Sequence, residues 1–139
     1  GLEPEQFGIE ITESALADNT NLAEGLAHVA DLGVKLAIDD FGTGFSSISR
    51  LRELPVDVLK IDRSFISGAD PDFGVETLTA IVDLAHALGA TVIAEGVETP
   101  DEYRAIRETR CDRVSGRLFG HPVSPQDLAE TIEAGLKQL

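Results

Sequence analysis

The chain has 139 residues, 42% apolar and 26% charged, which suits one globular domain or part of one. No apolar run approaches the roughly 20 residues that a membrane helix needs, so this segment is not expected to contact a membrane. Eleven Lys and Arg against 25 Asp and Glu leave a net charge of −14, which argues against a basic groove for polymeric nucleic acid. Any phosphate ligand must therefore draw its cations from elsewhere. The single cysteine, Cys111, cannot form an internal disulfide and fits a reducing, cytoplasmic setting, a reading compatible with a membrane-anchored parent protein. Met is absent even at position 1, so Gly1 does not read as a translation start, and the chain is expected to be a cut-out, processed or engineered piece. No secretory signal opens it.

In chain order, strands and helices alternate. Residues 7–12 read as a strand, and Asn21 with Glu24 resembles a capping box opening a helix that carries Leu22, Leu26 and Val29 and stops at Gly33. Residues 34–39 form a second expected strand. The loop from Phe41 to Gly44 leads into a short helix over 47–54, closed by Pro55 before a third strand over 56–61. Leu78, Ile81, Leu84, Ala85 and Leu88 recur at helical spacing, with Gly89 as the expected C′ residue. A fourth strand over 91–94 follows. Thr99, Pro100 and Glu102 supply an N-cap, a first-turn proline and a capping partner for the next helix, and a weak strand is expected over 113–115. Ser124 and Pro125 open a last amphipathic helix with Leu128, Ile132 and Leu136.

This order implies parallel strands with right-handed crossovers, in either a doubly wound sheet or a (β/α) barrel. A sheet covered on both sides wants apolar residues on both faces. Here alternation puts Glu10, then Lys35 and Asp39, then Lys60, then Glu95 on one face, with charges concentrated toward the C-terminal strand ends. That is where a TIM-like barrel builds its active site. Five βα units fall short of the about 250 residues of a closed barrel, so residues 1–139 are expected to be its C-terminal part, without the N-terminal strands.

Glu10, Asp39 with Asp40, Lys60 with Asp62, and Glu95 with Glu98 form the chemical cluster. Oxygen donors without converging His or Cys suit Mg²⁺ or Mn²⁺ rather than zinc. Adjacent Asp39 and Asp40 would face opposite sides of a regular strand, so both reach one site only if the backbone turns. Gly42 and Gly44, in the run Phe41, Gly42, Thr43, Gly44, could supply that turn. A pair of divalent ions would activate water, hold both oxygens of a phosphodiester and answer the charge problem.

Four motifs, Glu10-Ile11-Thr12-Glu13-Ser14, the run from Asp39 to Ser47, the run from Leu54 to Phe65, and Ala94-Glu95-Gly96-Val97-Glu98-Thr99, resemble in order those of the EAL-domain family, bacterial cyclic di-GMP phosphodiesterases. The resemblance implies a (β/α) barrel that binds two Mg²⁺ or Mn²⁺ ions and hydrolyses cyclic di-GMP to the linear dinucleotide. Carried over by position, Glu10 and Asp39 would be metal ligands and Asp40 a ligand of the second ion. Lys60 would hold the attacking water, and Glu95 would be general base or metal-site carboxylate. Glu98 would support Glu95, with Asp62 and Ser115 as further supporting positions. Glu13 would anchor the loop after Asp39, which carries Phe41, Gly42, Thr43 and Gly44 against the substrate. Self-association through the barrel domain and an upstream sensory or GGDEF-type domain are further expectations.

Two features depart from the family. The name-giving Glu-Ala-Leu tripeptide and a later Asn ligand are not among these residues, so this stretch alone is expected to be inactive. Ser115 stands where the family has Gln, and His121 where Arg is usual. A degenerate domain that binds cyclic di-GMP or a protein without hydrolysis is thus the alternative function. Plainer roles also exist: carboxylates at strand ends cap helices, above all Glu98 and Asp62, and Lys60 could be an ion-pair partner. His28, His86 and Cys111 read as structural.

Overall fold

Short runs rich in β-branched and aliphatic residues form five strands: β1 (Gly8–Thr12), β2 (Lys35–Phe41), β3 (Val58–Ile61), β4 (Thr91–Ala94) and β5 (Arg113–Val114). They are seen in a computed structural model that describes residues 1–18, 22–42, 51–67 and 74–136. All adjacent pairs are parallel and the sheet order is β1-β2-β3-β4-β5. A doubly wound sheet reverses its strand order at a switch point, whereas a barrel adds each strand on the same side. The sequential order is therefore the barrel's.

The helices are α1 (Glu13–Asp18), α2 (Leu22–Asp31), α3 (Val75–Ala87), α4 (Pro100–Glu108) and α5 (Leu128–Leu136), with 3₁₀ turns at Pro4–Gln6 and Arg63–Phe65. Ile38, Leu59, Ile61, Val92 and Ala94 of the sheet are at most 1% exposed. Leu26, Leu78, Val82, Ala85 and Ile106 cover them from α2, α3 and α4, so one core lies under the crossovers.

Several local signals hold. Gly89 follows α3 with φ +81°, and Thr99 with Glu102 forms a reciprocal capping box on α4. Others shift for identifiable reasons. β3 begins at Val58 rather than Val56, because Val56 N–H turns back to the Leu54 carbonyl and the first bond to β2 is Asp57 N–H to the Leu36 carbonyl. At the C-terminal side, Ser124 caps only a turn, accepting from Asp127 N–H, and α5 starts at Leu128. The expected cap at Asn21 and most of the helix over 47–54 lie outside the described residues; within its last turn Leu51 is buried in the core.

The largest correction concerns β2, which runs through Asp39 and Asp40 to Phe41 instead of ending at Asp39. Ile38 pairs with Leu59 and Phe41 with Ile61, so three steps on β2 match two on β3. The extra residue is a bulge, and Asp40 takes the left-handed region at φ +54° within it.

At the opposite, N-terminal end of the strands two aspartates act alike. Asp57, just before β3, accepts from Leu36 N–H at 2.9 Å, and Asp112, just before β5, accepts from Val92 N–H at 2.7 Å. Each ties the start of the neighbouring strand.

Candidate active site

The register explains the site. Glu10 lies opposite Ala37, Thr12 opposite Asp39 and Lys60 opposite Ile93, so the alternate positions of four strands share one face toward their C-terminal ends. On that face the Lys60 ammonium lies 2.9 Å from Glu10 Oε2, 3.1 Å from Asp39 Oδ1 and 3.2 Å from Glu95 Oε1. The Lys60 side chain is only 11% exposed. Burial by itself would lower its pKa, but hydrogen bonds to Glu10, Asp39 and Glu95 outweigh that cost and push it above the ordinary lysine value. Its charged form is thus favoured.

Asp40 occupies the bulge, and its N–H donates to Asp39 Oδ1 at 3.1 Å. The backbone turns at Asp40 itself, one residue before the glycine run. Gly42 follows at φ +97°, where an added Cβ would fall 2.1 Å from the Phe65 ring. Its N–H donates to Glu13 Oε2 at 2.7 Å, and Glu13 is 3% exposed, so a buried carboxylate from the start of α1 holds the chain just past the bulge. Phe41, expected on the substrate loop, is instead a core residue at 8% exposure, because the extra residue of the bulge shifts the alternation by one and puts it on the face of Ile38 rather than that of Asp39. Thr43 and Gly44 lie outside the described residues.

Asp62 accepts from Ser64 N–H and so caps the 3₁₀ turn after β3; a hydrogen bond from the Ser64 side chain, with backbone N–H groups of the turn, outweighs burial and holds its pKa below the usual carboxylate range. Glu98 stands between two guanidiniums, Arg63 at 2.6 Å and Arg117 at 3.4 Å. Nothing local in the sequence signals that bridge, since its members are 35 and 19 positions apart. Gly96, at φ +75°, admits the Arg63 stem, which would meet an added Cβ at 2.8 Å. Ser115 is exposed, and its backbone joins β5 to the turn after β4: its N–H donates to the Ala94 carbonyl and its carbonyl accepts from Val97 N–H.

Three carboxylates around one ammonium leave negative charge in surplus, and an all-oxygen donor set suits a hard divalent cation. Among the described residues, no three carboxylate, His or Cys side chains by themselves form a group that could hold a metal ion, and Lys60 lies among these three. The donors are of the class that takes a hard divalent cation, with Lys60 as the group any ion would share the carboxylates with.

A family model described as the EAL domain matches residues 1–122. The cyclic di-GMP phosphodiesterase NbdA of Pseudomonas aeruginosa is 44% identical over 128 residues, covering 91% of this chain and 16% of its own length. Among solved structures, the PaMucR phosphodiesterase in complex with c-di-GMP superposes with TM-score 0.85 at 37% identity, covering 91% of this chain and 52% of that one. Klebsiella pneumoniae BlrP1, in a manganese and cyclic di-GMP complex, superposes with TM-score 0.77 at 33% identity, covering 87% and 31%. The chain thus spans less than a fifth of that curated relative and about half of the MucR structure. The family match and the strand order agree: the chain belongs to the EAL-domain family, whose fold is a TIM-like (β/α) barrel.

Proposed function

We propose that this chain forms the C-terminal part of a bacterial cyclic di-GMP phosphodiesterase domain that opens the cyclic dinucleotide to linear pGpG. The observation that carries the reading is the Lys60 ammonium within 3.2 Å of Glu10, Asp39 and Glu95 at the strand ends. Glu10 and Asp39 would hold one divalent ion and Asp40 a second, Mg²⁺ or Mn²⁺, and the pair would supply an activated water and charge for both oxygens of the diester. Lys60, fixed and charged, positions the attacking oxygen and offsets phosphate charge as it develops. Glu95 takes the proton as general base from the same face. Glu13 acts at a distance, since its bond to Gly42 N–H fixes the bulge that aims Asp39 and Asp40. NbdA and the two complexes with cyclic di-GMP support the substrate class.

Ser115 favours a second reading, a domain that binds the nucleotide without turnover, because a serine hydroxyl reaches less far than the Gln of the family. No described helix is long and apolar enough to cross a membrane. A cytoplasmic setting and an upstream sensory or GGDEF-type domain complete the proposal.

The experiment is turnover of cyclic di-GMP by the intact domain with Mg²⁺ or Mn²⁺. Asp39→Asn and Lys60→Ala should each remove most activity, about a hundredfold or more, and Asp39→Asn should also weaken Mg²⁺ binding in calorimetry. Ser115→Gln should raise activity. Normal metal-dependent hydrolysis by Asp39→Asn would defeat the assignment, and binding without turnover in the unmutated domain would favour the second reading. The 139-residue chain alone, which lacks a Glu-Ala-Leu segment, should release no linear dinucleotide.

A further inference from the structure

Glu10, Asp39 and Glu95 each give one oxygen to the Lys60 ammonium, which is their only ion-pair partner among the described residues. The other cations at these strand ends are committed elsewhere, since Arg63 and Arg117 both pair with Glu98. The Lys60 side chain is buried, whereas Asp39, Glu95 and Glu10 keep 25%, 37% and 56% of theirs open to solvent. An ion arriving from solvent therefore meets carboxylates already paired from beneath.

The three oxygens converge on Lys60 Nζ, all within 3.2 Å of it, and no three carboxylate, His or Cys side chains among the described residues form a metal-holding group by themselves. The ammonium thus stands at the point that a shared ion would use. A cation on a covalent stem acts at a high effective concentration, which a dissolved ion has to overcome. An ammonium that stays beside the same carboxylates also repels a divalent ion they hold. Both effects lower metal affinity.

We propose that Lys60 is a tethered counter-ion that competes with the divalent metal for Glu10 and Asp39, keeping the carboxylates assembled at the strand ends and holding metal affinity down. The proposal deepens the phosphodiesterase reading above and rests on it for the metal as the resident ion. A purely structural ion pair predicts the reverse, because carboxylates that splay apart without Lys60 bind an ion more weakly.

The test is calorimetric titration of this chain with Mn²⁺, with no nucleotide present. Lys60→Met, which keeps an unbranched stem and removes the charge, should bind Mn²⁺ about tenfold or more tightly than the parent. Mn²⁺ should also raise the melting midpoint of that variant more than the parent's. Lys60→Gln, which keeps a donor without the charge, should behave in the same way, and adding Asp39→Asn to either should abolish the gain. Circular dichroism checks the fold of each variant. Unchanged or weaker Mn²⁺ affinity in either folded variant overturns the counter-ion, as does a gain that survives Asp39→Asn. Variants that fold only with Mn²⁺ support it, because the ion then replaces the ammonium; variants that fold neither with nor without Mn²⁺ overturn it. Turnover of cyclic di-GMP by the intact domain decides the other reading separately. Tighter Mn²⁺ binding without turnover supports the counter-ion and defeats the phosphodiesterase reading, whereas turnover with unchanged Mn²⁺ affinity does the opposite.

Discussion

Lys60 is tied to carboxylates on β1 and β2 and to Glu95 just past the end of β4, so one side chain on β3 links three neighbouring segments. Its replacement by Ala leaves Glu10, Asp39 and Glu95 facing one another without a cation, and the folded state should lose about 1–3 kcal/mol, read as a lower denaturation midpoint. The pKa of Lys60 is raised, so its contribution is complete below the ordinary lysine value and is lost only as pH climbs through the raised folded one. Melts between pH 6 and 9 should therefore show no slope that Lys60→Ala removes. Gly116 is a sharper test of backbone geometry. It takes φ +153°, and a Cβ there would lie 2.2 Å from the Val97 carbonyl oxygen and 2.3 Å from its nitrogen. Backbone cannot give way as a flexible side chain can, so Gly116→Ala should cost about 1–3 kcal/mol or more and disturb the turn that carries Glu98. A melting temperature unchanged in that variant would show that the turn is not held as described.

At the scale of elements, β2 marks where sequence reading stops. Period-two alternation was enough to bring Glu10, Asp39, Lys60 and Glu95 to one face, because each lies near the end of a short parallel strand whose partner register is nearly in step. The bulge escaped because alternation carries no trace of an inserted residue, and glycines two and four positions later offered a nearer explanation for the turn. The paired clips at Asp57 and Asp112 also left no local signal, since each reaches a backbone N–H about 20 residues upstream. Desolvation works against the charge on Asp57, but its bonds to Lys35 and Leu36 N–H hold its pKa below the usual value. Val92 N–H and His86 do the same for Asp112. A depressed carboxylate stabilises the fold fully above its unfolded pKa and loses that contribution as pH falls through the folded one. Thermal stability should therefore decline below about pH 4, the ordinary Asp range. Asp57→Ala and Asp112→Ala should each cost about 1–3 kcal/mol at pH 7, because each strands a strand-start N–H. Each variant should also lose part of the acid slope. Equal slopes in variants and parent would assign the acid transition to other groups.

At the scale of the whole molecule, strand order and charge placement were legible from the sequence, whereas the behaviour of the edges depends on what the sheet leaves uncovered. Among the described residues β1 pairs only with β2, and β5 only with β4. Large apolar side chains gather at both ends of this order: Leu2, Phe7, Ile9 and Leu32 around β1, and Phe119, Val123, Leu128 and Ile132 after β5, each 39–66% exposed. Two open parallel edges flanked by apolar surface are templates for association. Covering such a side chain fully contributes about 1.5–3 kcal/mol, so burying half of these eight approaches the about 4–15 kcal/mol cost of bringing two chains together. Opposing this is the charge of −14 on each copy, which salt screens over about 10 Å at 0.1 M. The 14.8 kDa chain should therefore self-associate at micromolar concentrations, with a larger mass in 0.5 M than in 0.05 M NaCl by light scattering after gel filtration. Replacing Phe7 and Ile9 with Glu should reduce that mass, since both changes remove apolar surface beside the β1 edge and add to the negative charge. A single 14.8 kDa species at every salt concentration would mean that the exposed ends do not associate and that self-association is not a property of this part of the barrel.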